Sequence, residues 1–197
     1  MIKKILQMIT AGLVLALLGC STIPSAPPLE KNANTATVYF FMGAETIYLI
    51  GSPRAAVFTL WDSDTFISNI RRGQYLAANF QAGTHYFMSS DNTGSHAGAL
   101  GQSEWNTSKI ELEPGKTYFY YLKPQSGSLP YATFHIMKPN DPEIDNILRS
   151  YNEITPMGKT TKGVAKQATK HLKIAKENLE ANFFAYNVGV VPPGMGR

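Results

Sequence analysis

Residues 108–122 read SKIELEPGKTYFYYL, and they decide the fold class. Ile110 and Leu112 alternate with Lys109 and Glu111, a period of two that gives a strand one dry face and one wet face. Glu113-Pro114-Gly115-Lys116 suits a type II turn, because Pro fixes φ at the first central position and Gly accepts φ > 0 at the second. The run TYFYYL then resumes as a strand of β-branched and aromatic residues. An earlier stretch at 79–88, NFQAGTHYFM, repeats the pattern of a turn glycine followed by aromatic alternation. We read the two as hairpins of one kind.

Outward from this segment, similar short runs follow one another between turn signals. They are TVYFFM (37–42), TIYLI (46–50), AVFTLW (56–61), TFISNI (65–70), YLAANF (75–80), THYFM (84–88) and YATFHIM (131–137). Many strands at this spacing predict a mainly β chain, a small antiparallel β-sandwich over 35–138. Ten Tyr, ten Phe and two Trp can fill its core.

The character changes after Pro139. Asp141 suits an N-cap with Pro142 at the first helical position, and Ile144, Ile147, Leu148 and Tyr151 follow at helical spacing. A longer helix is expected from about Gly163 to Tyr186, with Val164, Ala168, Leu172, Ala175, Leu179, Phe183 and Tyr186 in one stripe. The sequence thus predicts one short and one long helix in a C-terminal region at 139–187, then a disordered tail at 188–197.

The amino-terminal end carries a different message. Lys3 and Lys4 precede an apolar run from Ile5 to Leu18, the charged and apolar regions of a secretory signal over 1–19. Its helical length, about 22 Å at ~1.5 Å per residue, falls short of a ~30 Å hydrocarbon core. The run ends in Leu17-Leu18-Gly19-Cys20, which resembles a bacterial lipobox and holds the sole cysteine of the 197 residues. The resemblance implies cleavage before Cys20, a diacylglyceryl group on its thiol and an acyl chain on its new amino group. Two or three such chains anchor stably at ~0.8 kcal/mol per buried CH₂. Ser21, where an inner-membrane retention signal would have Asp, implies the outer membrane, facing the periplasm or the cell surface. Residues 20–34, rich in Pro, Ser, Ala and Asn, read as a lipidated tether with a coil span of roughly 20 Å.

With 1–19 removed from 197, 178 residues remain, one ordinary domain. Loss of Lys3 and Lys4 lowers the net charge from +4 to about +2, which argues against a nucleic-acid partner.

The order TVYFF, VFTLWDS, IRRGQY, AGTHYF and LEPGKTYFYYL resembles a family of bacterial lipoproteins defined by a domain of unknown function, number twenty-eight forty-six. The similarity covers roughly 35–137 and rests on fold-forming residues. The chain departs from the pattern at Ser63, where a hairpin Gly is expected, and at Ala82, where Pro is usual. The resemblance implies a β-sandwich accessory module that binds an envelope protein or glycan without catalysis.

Chemistry-bearing residues are sparse. The Gly- and Ser-rich loop at 89–105 offers Asp91, His96, Glu104 and Trp105 as a candidate ligand lip. An alternative reading makes that loop the site of an envelope hydrolase or metal-dependent enzyme. A third uses Lys162, Lys166, Lys170 and Lys173, with Lys176, as contacts to lipid headgroups or another envelope polyanion. His85, His96, His135 and His171 lack the short spacing of a zinc site. Asp62-Ser63-Asp64 lies between two strand runs and reads as a turn rather than a metal motif. No catalytic residue, metal ligand or cofactor beyond the lipid on Cys20 is assigned.

Overall fold

A computed structural model describes residues 22–27, 29–45, 47–49, 52–54, 57–91, 105–125, 131–181 and 188–197. Among the described residues the chain is mainly β, with open sheets and two helices. Its strands are β1 (Thr22–Pro24), β2 (Thr35–Met42), β3 (Ile47–Leu49), β4 (Ser52–Arg54), β5 (Val57–Asp62), β6 (Thr65–Arg71) and β7 (Gln74–Gln81). There follow β8 (Gly83–Asp91), β9 (Trp105–Leu112), β10 (Thr117–Gln125) and β11 (Tyr131–Ile136). Helix α1 (Pro142–Ser150), β12 (Asn152–Glu153), β13 (Lys159–Thr161), helix α2 (Lys162–Glu180) and β14 (Val188–Val190) complete the order.

Two five-stranded sheets dominate. The first runs β11-β10-β2-β7-β12 and the second β14-β9-β8-β5-β6. Alternation along each strand sorts its side chains between two environments. Val38 and Phe40 of β2 share a buried cluster with Phe58 and Leu60 of β5, Phe87 of β8, Ile110 of β9 and Tyr120 of β10. Residues of both sheets therefore meet in one core. On the opposite face of the first sheet Phe41, Tyr75 and Phe119 pack against Ile144 and Ile147 of α1. On the opposite face of the second, Trp61, Phe66, Met88 and Trp105 pack against Ala168 and Leu172 of α2. Central strands are apolar on both sides for this reason, so TVYFFM and TYFYYL show no wet face.

The echoing turns are not hairpins. β7 belongs to the first sheet and β8 to the second, while β9 belongs to the second and β10 to the first. Each turn carries the chain across the core instead of folding a strand back beside its predecessor. The second has the expected geometry: Lys116 N–H donates to Glu113 O at 3.3 Å and Gly115 has φ 74°. Crossing also explains a departure from the expected antiparallel pattern. β10 returns beside β2 in the same direction, pairing Thr117 with Thr37 and Leu122 with Met42. β12 lies parallel to β7 and β14 parallel to β9. A turn fixes local dihedrals, but the partner of the strand that follows is chosen by packing across the core.

Asp141 caps α1 as expected, its Oδ1 accepting from Glu143 N–H at 3.0 Å. Thr161 caps α2, whose stripe buries Ala168, Leu172 and Ala175; the last part of the expected helix, 182–187, lies outside the described residues.

Both chain ends depart from expectation. The segment read as a tether is bonded to the fold. Thr22, Ile23 and Pro24 pair with Thr161, Thr160 and Lys159, and Ala26 N–H donates to Phe66 O at 2.8 Å. The segment read as a disordered tail adds β14 to the second sheet. Arg197 then exchanges backbone hydrogen bonds with Thr117 on the first, both 2.9 Å. Backbone pairing of this kind needs no apolar periodicity, which is why composition alone suggested loose chain.

Candidate functional site

At the end of β5 the chain turns through Ser63, which has φ 56°, the left-handed region that favours Gly. The turn leaves Asp62 opposite Phe87 of β8. His85 lies two residues before Phe87 on the same strand face and stacks on its ring at 5.8 Å between centroids. Phe80 meets the His85 ring edge-on at 5.7 Å.

Both ring nitrogens of His85 are occupied. Nδ1–H donates to Asp62 Oδ2 and Nε2–H to the Gln81 carbonyl, each at 2.8 Å. A carboxylate and a carbonyl only accept, so the ring that satisfies both is the doubly protonated imidazolium. Burial by itself lowers the pKa of His85. The hydrogen bond and charge of Asp62 oppose it, with help from the Gln81 carbonyl and the Glu111 charge, and the net shift is upward from 6.5. With neither nitrogen free, this His–Asp pair has no lone pair with which to activate a hydroxyl or water.

The other oxygen of Asp62 stands differently. Oδ1 is buried and has no hydrogen-bond partner. Asp62 also lines a cavity of about 280 Å³. Its walls come from Ala26, Pro27 and Leu29 of the amino-terminal segment, Thr65 and Ile67 of β6, Ala78, Asn79 and Phe80 of β7, and Pro156. Seven of these ten lining residues are apolar and three, Asp62, Thr65 and Asn79, are polar, so the space suits a small hydrophobe. Its volume sits at the small end of the ~300–1,000 Å³ typical of ligand pockets. The amino-terminal segment is held over it by the Ala26–Phe66 bond and by Asn79 Nδ2 donating to Leu29 O at 3.0 Å.

Of the residues expected to form a ligand lip, Trp105 is placed otherwise. Trp105 is not on a loop but begins β9, is 5% exposed and packs edge-on to Trp61 at 6.2 Å. Asp91 is the last residue of β8, opposite Phe58. Cys20, His96 and Glu104 lie outside the described residues. Trp105 carries a second histidine, His171 of α2, stacked at 5.7 Å, whose Nε2 is 2.9 Å from Thr107 Oγ1. Burial holds His171 down at about 4. His135 is on the exposed side of β11, hydrogen-bonded to Thr133 Oγ1 at 2.9 Å, and in the other sheet from His85.

Lys162, Lys166, Lys170 and Lys173 are exposed along α2. Lys173 pairs with Glu177 at 3.8 Å, and the Lys176 ammonium lies 4.8 Å from the centre of the Tyr86 ring. Among the described residues no group of three or more His, Cys, Asp or Glu could hold a metal ion, and no helix is long and apolar enough to cross a membrane.

The Asp62–His85 pair was not legible beforehand. The two residues are 23 positions apart; Asp62 sits beside a turn where its type is ordinary, and His85 lies within a strand run. No protein-family model matches the chain, and neither does any curated protein or solved structure.

Proposed function

We propose that this chain is a lipoprotein of the outer membrane, anchored by acyl chains on Cys20 and facing the periplasm. Its two sheets form a β-sandwich that binds a small apolar ligand without catalysis. The resemblance to the lipoprotein family with the domain of unknown function belongs to the same reading. The observation that carries it is the cavity beneath Ala26, Pro27 and Leu29: apolar walls beside a carboxyl group with one buried, unpartnered oxygen. Such an oxygen costs about 1–3 kcal/mol while it lacks a donor. A hydrophobic molecule bearing one hydroxyl or amine group would fill the walls and, once the Asp62 side chain turns Oδ1 toward it, supply that donor. Occupation of both His85 nitrogens supports binding over hydrolysis.

The probe 1-aminoanthracene, flat and apolar with one amine, tests the cavity. Saturable fluorescence enhancement is expected with the full chain. Ala78→Phe should abolish it by filling the space, and Asp62→Asn should weaken it about tenfold, as for loss of a hydrogen bond to a charged group. Circular dichroism and melting temperature would verify that both variants fold. Undiminished binding by folded Ala78→Phe would overturn the assignment. Separately, Cys20→Ser should leave an uncleaved precursor that takes up no labelled fatty acid.

A further inference from the structure

The register of β1 sets how close the domain lies to its anchor. Thr22 lies across from Thr161 and Pro24 across from Lys159 in an antiparallel pair. The chain leading back toward Cys20 therefore leaves the pair at the Thr161 end, where α2 begins. From Thr22 to Cys20 two residues remain, and two residues span at most ~7 Å. The coil span of roughly 20 Å expected for the whole 20–34 segment does not operate, because Thr22–Ala26 is bonded to the fold.

The same end of the molecule is basic. Lys159, Lys162 and Lys166 are exposed and make no ion pair among the described residues. The first turn of α2 contains no acidic residue to offset them. Farther along the helix Lys170 is likewise exposed and without an ion pair among the described residues, whereas Lys173 has Glu177 and Lys176 the Tyr86 ring as partners within the protein. These cations without partners thus lie on β13 and the half of α2 nearer the leash.

We infer that Lys159, Lys162 and Lys166 form a headgroup-contact surface that seats the domain directly on an anionic phospholipid bilayer. The inference rests on acylation of Cys20. A lysine close to such a surface gains ~1 kcal/mol, about a fivefold bias per residue toward the seated orientation. The leash keeps all three within range of the headgroups, so their contributions combine without a separate association step.

The acylated full chain, reconstituted in vesicles of phosphatidylcholine with phosphatidylglycerol, would be exposed to a membrane-impermeant amine-acetylating reagent. Mass spectrometry would then read each lysine, alongside the intact mass of the acylated chain. Lys159, Lys162 and Lys166 should be protected relative to Lys123 of β10. The protection should vanish in pure phosphatidylcholine and in 1 M salt, where the Debye length is only ~3 Å. In the triple variant Lys159→Glu, Lys162→Glu, Lys166→Glu, the neighbouring Lys170 should become as reactive as it is in detergent. Uniform labelling of an acylated chain would overturn the seated orientation while leaving the anchor intact. A chain lacking acyl mass would overturn both.

Discussion

Two histidines flank the second sheet, and their surroundings differ in nearly every physical respect. His171 lies flat on Trp105 in a cluster closed by α2, and its polar contact there is the Thr107 hydroxyl. Burial dominates, and the ring stays neutral. His85 sits at the margin of the inter-sheet core, clasped between a carboxylate and a carbonyl that raise its pKa above the usual value. The first site is close aromatic packing, in which Trp61 Nε1 is also buried without a hydrogen-bond partner. The second keeps an unpartnered oxygen and an open cavity at its side. Packing that closes completely reads as support for the fold, whereas packing that stops short beside a charged pair reads as a place for a ligand.

The largest effect should come from opening the sealed region. Trp105→Ala removes an aromatic side chain buried between Trp61 and His171 and should cost about 3–5 kcal/mol in a urea titration. Ala78→Phe at the cavity adds as much bulk as many core substitutions, yet should cost under about 1 kcal/mol because the space exists. If the two variants were equally destabilising, the contrast between closed and open packing would be lost.

Acid separates the histidines next. His171 has a folded pKa of about 4 against 6.5 when unfolded. As pH falls through that window the unfolded chain takes up a proton that the folded chain refuses, so stability drops. The loss should reach roughly 3 kcal/mol near pH 4. His171→Phe should flatten the slope of melting temperature between pH 6.5 and 4. For His85 the sign is reversed. Its folded pKa is raised, so its contribution is complete below pH 6.5 and fades as pH rises through the folded value. Asp62→Asn should move the His85 titration seen by NMR to lower pH and cost about 1–2 kcal/mol at pH 6.

The smallest change sharpens the geometry of the turn that presents Asp62. Ser63 carries φ 56°, a conformation that costs an L-residue about 1–2 kcal/mol. Ser63→Gly should relieve it, less about 0.5–1 kcal/mol for the greater freedom of Gly in the unfolded chain. A net gain of several tenths of a kcal/mol is expected, with 1-aminoanthracene binding unchanged.

Strands were well marked in the sequence because β-branched and aromatic runs between turn residues have few other uses. YLAANF at 75–80 became β7, and TYFYYL became the start of β10. Asp141 announced its helix, since a cap is a short-range chemical event. Pairing was not marked. Gly83 and Gly115 identify where the chain bends, and nothing local states that it bends across a core rather than along a sheet. Trp105 looked like the rim of a loop because Gly and Ser precede it, although its burial depends on α2, far along the chain. The candidate site was hidden for the same reason. Asp62 and His85 each have an ordinary local meaning, and the second meaning arises only when β5 and β8 pair.

The parallel contact between β2 and β10 has a kinetic consequence. Thr37 pairs with Thr117, so the central strand of the first sheet cannot gain this neighbour until 80 further residues are available. Such distant closure predicts slow refolding, in milliseconds to seconds. Until β10 arrives, the run TVYFFM presents a bare aromatic edge that invites self-association. Under the proposed export, in which the chain stays unfolded while it is threaded out of the cell, the delay is an asset, and the exposed edge is its hazard.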